Sequence, residues 1–136
     1  DPKKYVILGL RGGLYDPDDL KWAIEQGVTI ISTDKFYEIG ITETIKIIKD
    51  ILTDTQTYFT FDIDGIDPTY APGTGTPEVG GINVREAQMI IRQLSELNFI
   101  GADVVEVSPP FDINNMTSLV AATIAFEILC TMTRTN

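Results

Sequence analysis

Two aspartates stand two residues apart in Phe61-Asp62-Ile63-Asp64-Gly65-Ile66-Asp67-Pro68. Asp62 directly follows the apolar run Tyr58–Phe61, so the pair leaves a buried strand. Alternation along a strand puts residues i and i+2 on the same side. Carboxylates placed like this repel one another unless a cation lies between them. Oxygen donors of this type suit manganese, magnesium or calcium. The structural alternative is that one aspartate closes a turn while the other is solvated. Asp67-Pro68 reads as a turn device that shapes the following loop, with a secondary place supporting the metal ligands. A third acid, Glu106, ends the run Phe99–Val107, where it faces the same crevice or serves as a satisfied acid near a helix N-terminus. Between them, Ala71-Pro72-Gly73-Thr74-Gly75-Thr76-Pro77 is rigid and poor in large side chains, so its backbone can approach a ligand closely. It lacks the lysine and spacing of a phosphate loop.

The sequence contains no histidine. Histidine is the commonest metal ligand and the usual acid–base group at neutral pH. The chemistry therefore uses carboxylates alone, or its histidines lie on sequence outside these 136 residues. No catalytic acid or base is identified in this chain.

The elements that must position these acids alternate between strand and helix patterns. Tyr5–Leu10 and Val28–Ile31 read as buried strands, the second ending at Ser32-Thr33-Asp34. Between them Asp16 is the expected N-cap of a helix with Pro17 at its first position, Leu20, Ala23 and Ile24 on its face, and Gly27 at its stop. Thr42 is the expected cap of a second helix, with Ile45, Ile48, Ile51 and Leu52 on one stripe. Tyr58–Phe61 is the third strand. Asn83 and Glu86 form a capping box before a helix carrying Ala87, Ile90, Ile91, Leu94 and Leu97. Phe99–Val107 is the fourth strand, stopped by Ser108-Pro109-Pro110. Asn115 or Thr117 opens a last helix, apolar on most sides and expected to be well buried. Repeated βαβ units give an α/β fold with a mostly parallel sheet. Ligands of such sheets bind beyond the carboxyl ends of the strands. Those ends here are Arg11–Gly13, Ser32–Asp34, Asp62 onward and Glu106–Pro110.

Composition sets the outer bounds. With 43% hydrophobic and 22% charged residues, the sequence is that of a folded globular chain, without an internal domain boundary across residues 1–136. No uninterrupted apolar run approaches the ~20 residues of a membrane span, so none is expected. Twenty acidic residues against ten basic ones give a net charge of −10, which argues against nucleic acid and anionic membranes and suits a cationic ligand. Cys130 is the single cysteine; no internal disulfide is available, and it is expected to be a buried packing residue. The opening Asp1-Pro2-Lys3-Lys4 lacks an apolar signal region, so a cytoplasmic location is expected.

The stretch Phe61–Gly81 resembles the signature of the ureohydrolase family of arginases, agmatinases and guanidinobutyrases. Gly101–Asp112 resembles that family's next segment, and Thr117–Leu129 its last helix. The resemblance covers essentially the whole chain. It implies a three-layer α/β/α arginase-like fold of which this chain is the C-terminal part, and a centre of two manganese ions. The reaction it implies is hydrolysis of a guanidino group to an amine and urea. Asp62 and Asp64 match the metal ligands of the D-x-D segment, Glu106 the acid that pairs with the substrate guanidinium, and Thr76 a threonine beside that acid. Arg11-Gly12-Gly13-Leu14-Tyr15-Asp16 and Val107–Pro110 look more like agmatinases and guanidinobutyrases than arginases. An agmatine-like substrate is expected, with 4-guanidinobutyrate as the alternative. Arg11 would attract the carboxylate of the latter, or form a salt bridge with Asp16 or Asp34.

The departure from the family lies in what is missing. Its G-G-D-H and D-x-H-x-D segments, which bring the histidines, are absent here. The expected partner is thus the N-terminal half, on the same polypeptide or a second chain, and homo-oligomers are expected as in the family. The chain alone is expected to be inactive. A non-catalytic half-domain without a complete metal centre is the alternative from another class. A phosphoryl-transfer reading of D-x-D is disfavoured by Ile66, where that class places threonine or valine.

Overall fold

The computed structural model describes residues 1–133. Strand β1 (Val6–Leu10) pairs in parallel with β2 (Thr29–Ser32), and β3 (Gln56–Asp62) pairs in parallel with β4 (Asn98–Val105). The two pairs are not hydrogen-bonded to each other among the described residues. Helices α1 (Lys21–Gln26), α2 (Thr33–Leu52), α3 (Val84–Gln93) and α4 (Met116–Met132) lie between and after the strands. Each strand pair is a βαβ crossover, as the alternation of patterns requires.

The helices bury the stripes that their spacing predicts. Ile45, Ile48 and Leu52 of α2 and Ala87, Ile90 and Ile91 of α3 are buried, joined by Leu94 and Leu97. They meet Ile31, Phe36, Ile63, Ile66 and Phe99 in one continuous core. The Asn83–Glu86 capping box forms in full: the Asn83 side chain accepts from the Glu86 amide and the Glu86 carboxylate accepts from the Asn83 amide, each at 2.8 Å. Arg92 of α3 pairs with Glu127 of α4, and Gln88 also donates to Glu127. That accounts for an acid within the most apolar helix.

Three local expectations need correction, and a fourth holds without the side-chain bond it implied. Asp16 does not cap α1, which starts at Lys21 without a side-chain cap. Asp16 instead accepts from the Asp18 amide at 2.8 Å, while Asp19 accepts from Tyr15 and Asp16. Short acidic side chains that can bond nearby amides close turns as readily as they open helices. Thr42 does not cap α2. The helical run begins at Thr33 with Ser32 as its cap, accepting from the Lys35 amide at 3.1 Å. It is broken at Gly40, whose φ of 76° and ψ of 170° interrupt the helix two residues before Thr42. Strand β4 stops at Val105 rather than Val107, because Glu106 takes a φ of 66°. Helix α4 opens after Asn115, as expected, but Asn115 makes no side-chain cap bond; Asp112 instead accepts from the Thr117 and Ser118 amides at 2.8 Å each, and the Ser118 hydroxyl adds a third bond.

The last helix is also less buried than its composition suggests. Thr117, Val120, Ile124, Ile128 and Thr131 form a buried stripe, but Phe126 is 65% exposed, and Leu119 and Leu129 are equally open. Cys130, expected to be buried, is half-buried. The inner stripe packs on α3 and β4, and no described element covers the outer side. By length and composition alone, Ile113–Met132 is apolar enough to cross a membrane, which corrects the expectation that no stretch approaches that size. The β3–β4 pair is likewise covered on one face. Tyr58 lies on the open face, 59% exposed, with its ring against Gly101 and its hydroxyl donated to Asp103 at 3.0 Å.

The loop between β3 and α3 closes on itself. Ile66 and Ile82 form a parallel bridge, with the Asp67 amide donating to Ile82 and the Ile82 amide to Gly65. Gly81 lies directly beneath this contact: a Cβ there would stand 2.5 Å from the Asp67 nitrogen. Backbone cannot yield as a side-chain tip does, so Gly81→Ala is expected to destabilise the fold by about 1–3 kcal/mol. Urea unfolding of the two proteins checks this; equal midpoints would show that the loop closes without the close approach.

Candidate active site

The pairing of β3 with β4 assembles the acids. Asp62 is the last residue of β3 and stands opposite Val105, so Glu106 follows one residue beyond the pair. Beyond Asp62 the chain makes one 3-10 turn, Ile63–Gly65, with Ile63 fully buried beneath it. Asp62 caps that turn, accepting from the Asp64 amide at 3.0 Å. Asp64 in turn accepts the Thr76 hydroxyl at 2.9 Å. Each carboxylate therefore has one oxygen engaged in these bonds, leaving its second oxygen outside them. The Asp62 carboxyl is pushed up to about 6. Burial is the main cause, with the negative charges of Asp64 and Glu106 adding to it.

The loop is carried to the same place by the exit of β4. Thr74 forms an antiparallel bridge with Val107, and the Ser108 amide donates to Gly73 at 2.8 Å. Gly73 also donates to the Thr117 hydroxyl at 2.8 Å, tying the loop to the start of α4. Thr76 is thereby held over Asp64. Glu106 is exposed and sits in the left-handed region, which asparagine and aspartate tolerate but glutamate rarely enters. Such a conformation costs on the order of 1–3 kcal/mol and persists where the surroundings dictate it.

Asp67 works on the loop itself. It accepts from the amides of Thr69, Gly80 and Gly81 at 2.9, 2.8 and 3.2 Å. The Thr69 hydroxyl and these amides hold its carboxyl down to about 2. It supports the segment carrying Thr76 and makes no bond to Asp62 or Asp64. Arg11 lies at the end of β1, and its guanidinium donates to main-chain carbonyls, including that of Asp64 at 2.6 Å. It forms no ion pair with Asp16 or Asp34. A concavity of about 400 Å³ opens beside it, lined in part by Leu14, Ser32, Asp34 and Val79. A second of similar volume, between Lys49, Asp54 and Glu96, lies at the opposite strand ends, away from the acids.

As a cation site the arrangement is partial. Its donors are hard carboxylate oxygens with excess negative charge, which fits a manganese-type ion. No group of three or more metal-binding side chains is formed among the described residues. Asp62 and Asp64 would offer such an ion two donors, and a complete coordination sphere would need others. The sequence had pointed to Asp62, Asp64, Glu106, Thr76, Asp67 and Arg11. The structure brings the first four together and puts the last two in the loop's support. Sequence reasoning missed Ser108 and Thr117 as fasteners of the loop, since each bond joins residues far apart in the chain.

Parallel strand pairs with acids gathered at their carboxyl ends define an α/β protein with an acidic crevice. The whole described chain carries a more specific likeness, matching the arginase family over residues 1–131. The chain belongs to the arginase family. It is 47% identical over 130 residues to a guanidinopropionase of Pseudomonas aeruginosa, covering 96% of this chain and 41% of that protein. It is 42% identical over 132 residues to an agmatinase of Chromobacterium violaceum, covering 97% of this chain and 38% of that one. The solved proclavaminate amidino hydrolase of Streptomyces clavuligerus superposes with a TM-score of 0.95 at 38% identity, covering all of this chain and 45% of the other. The chain spans about two-fifths of the length of the curated relatives it matches.

The Asp67 carboxyl sets a pH dependence. Its pKa is lower in the folded state than in the unfolded, so its contribution to stability is present above about pH 4 and is lost as pH falls towards 2. Asp67→Asn is expected to lower the unfolding midpoint at pH 7 and to converge on the unsubstituted protein in strong acid. Denaturation series between pH 7 and pH 2 measure it, and a constant gap across that range would refute the assignment.

Proposed function

We propose that this chain is part of a manganese-dependent amidinohydrolase that cleaves a linear guanidino compound to an amine and urea. The observation that carries the reading is the convergence of Asp62, Asp64, Glu106 and Thr76 at one strand end in a chain of the arginase family. Asp62 and Asp64 would hold manganese through the carboxylate oxygens left outside their turn and threonine bonds. Bound there, manganese would supply the Lewis acidity that activates water at neutral pH. Glu106 faces the guanidinium, a planar cation with paired N–H donors, and grips it with both carboxylate oxygens. Its left-handed backbone ends the strand at Val105 and leaves the exposed residue outside the sheet ladder. Thr76 keeps Asp64 oriented by donating its hydroxyl.

The substrate is an agmatine-like guanidino compound in this reading. The similarity to a guanidinopropionase supports guanidino acids as a second choice. The remaining ligands and the proton donor come from the N-terminal half of the enzyme, on the same polypeptide or a second chain. A non-catalytic role is the competing reading, favoured by the incomplete donor set among the described residues.

The test is urea release from agmatine, 3-guanidinopropionate and 4-guanidinobutyrate with added Mn²⁺, by the 136-residue chain alone and by the protein joined to its missing half. The chain alone is expected to release none, and the completed protein to be active. Glu106→Gln in the completed protein is expected to lower kcat/KM by about 100-fold, the loss of a charged pair worth roughly 3 kcal/mol. Full activity of that variant would remove Glu106 from the site. An inactive completed protein would favour the non-catalytic reading.

A further inference from the structure

Arg11 makes a set of bonds that substrate binding does not explain. Its Nη2 donates to the carbonyls of Asp64 and Glu78. Its Nε reaches the carbonyls of Glu78 and Val79 at 3.2 and 3.3 Å, and its Nη1 that of Gly9 at 3.3 Å. Every acceptor is a neutral main-chain oxygen. Acidic residues outnumber basic ones two to one in this sequence, 20 against 10, yet the guanidinium takes none of them. Three segments far apart in sequence meet on this one group: the end of β1, the D-x-D turn and the tail of the loop.

The consequence for the acids is geometric. The Asp64 carbonyl is fixed by Arg11, and the next carbonyl, that of Gly65, is fixed by the Ile82 amide at 3.2 Å. Two successive peptide planes of the turn are therefore locked from opposite partners. The first adjoins the Asp64 Cα, so its orientation constrains the direction in which the Asp64 side chain leaves the backbone, and the second holds the turn that follows. Lysine cannot substitute, because a single ammonium lacks the planar fork that reaches several carbonyls at once.

We infer that Arg11 is a positioning residue of the acidic site: a strut that fastens the D-x-D turn and the loop tail to β1 and holds Asp64 in its ligating direction. It acts through the backbone and does not touch the substrate. The inference deepens the amidinohydrolase reading and rests on it only where manganese is concerned.

Arg11→Lys, in the protein purified as its host expresses it, separates the two. Hydrogen exchange is measured on peptides covering residues 62–67 and 78–82, with 84–93 and 116–132 as internal references. Exchange is expected to rise at least tenfold in the first two and to stay unchanged in the references. Unchanged exchange at 62–67, or an equal rise everywhere, overturns the strut. The second readout is Mn²⁺ affinity, followed by the paramagnetic resonance signal of free Mn²⁺. A dissociation constant raised about tenfold is expected, and one within twofold of the unsubstituted protein overturns the inference. If the unsubstituted protein binds no Mn²⁺, the amidinohydrolase reading falls, and the exchange pattern alone decides Arg11. Should Arg11→Lys fail to fold, Arg11→Gln, which retains a planar two-donor amide, is read in the same way.

Discussion

The register of β3 against β4 is the constraint on which the rest of the site depends. Asp62 opposite Val105 puts one acid at the end of each strand, with Glu106 a single step past the pair. Side chains alternate faces with a period of two, so a slip of one residue would send Asp62 to the side occupied by Phe59 and Phe61. Phe59 and Phe61 meet edge to face there, and Phe59 also packs on Phe99. A charged group in that layer would be far costlier than the present arrangement. Core packing thereby fixes where the carboxylates stand.

Holding like charges together needs support that does not itself add charge. The loop supplies it through main-chain and hydroxyl bonds. Asp67 draws Thr69, Gly80 and Gly81 around one carboxylate, Thr76 donates to Asp64, and the Gly73 amide donates to the Thr117 hydroxyl. Arg11 gives its donors to main-chain carbonyls, among them that of Asp64. Burial raises the Asp62 pKa, and the negative charges of Asp64 and Glu106 add to it. That added repulsion is what a divalent cation would relieve.

The exposed surfaces mark a second constraint. The outer side of α4, with Leu119, Phe126 and Leu129, and the open face of β3, with Tyr58, are apolar or aromatic. Unpaired edges and apolar faces of this kind invite association. They accord with a chain that spans about two-fifths of the length of its relatives. Those relatives carry more chain than is described here.

Much of this was legible in the residues alone. The strands, the capping box at Asn83 and Glu86, the helical stripes of α2 and α3, and the acids at the strand ends follow from local periodicity and short-range chemistry, which depend on neighbours in sequence. The failures came where a residue had a choice of partners. Asp16 could cap or turn, and Gly40 could break a helix that Thr42 might have opened. Glu106 could end a strand in an ordinary conformation or a strained one. Tertiary structure alone decided that Arg11 would bind carbonyls rather than a carboxylate, that Asp112 would cap α4, and that half of α4 would stay uncovered. In each case the deciding contact joins segments or faces that sequence spacing does not bring together. The sequence by itself determined which side chains could hold a cation and a guanidinium; only the packing of those segments determined which of their atoms are left to do it.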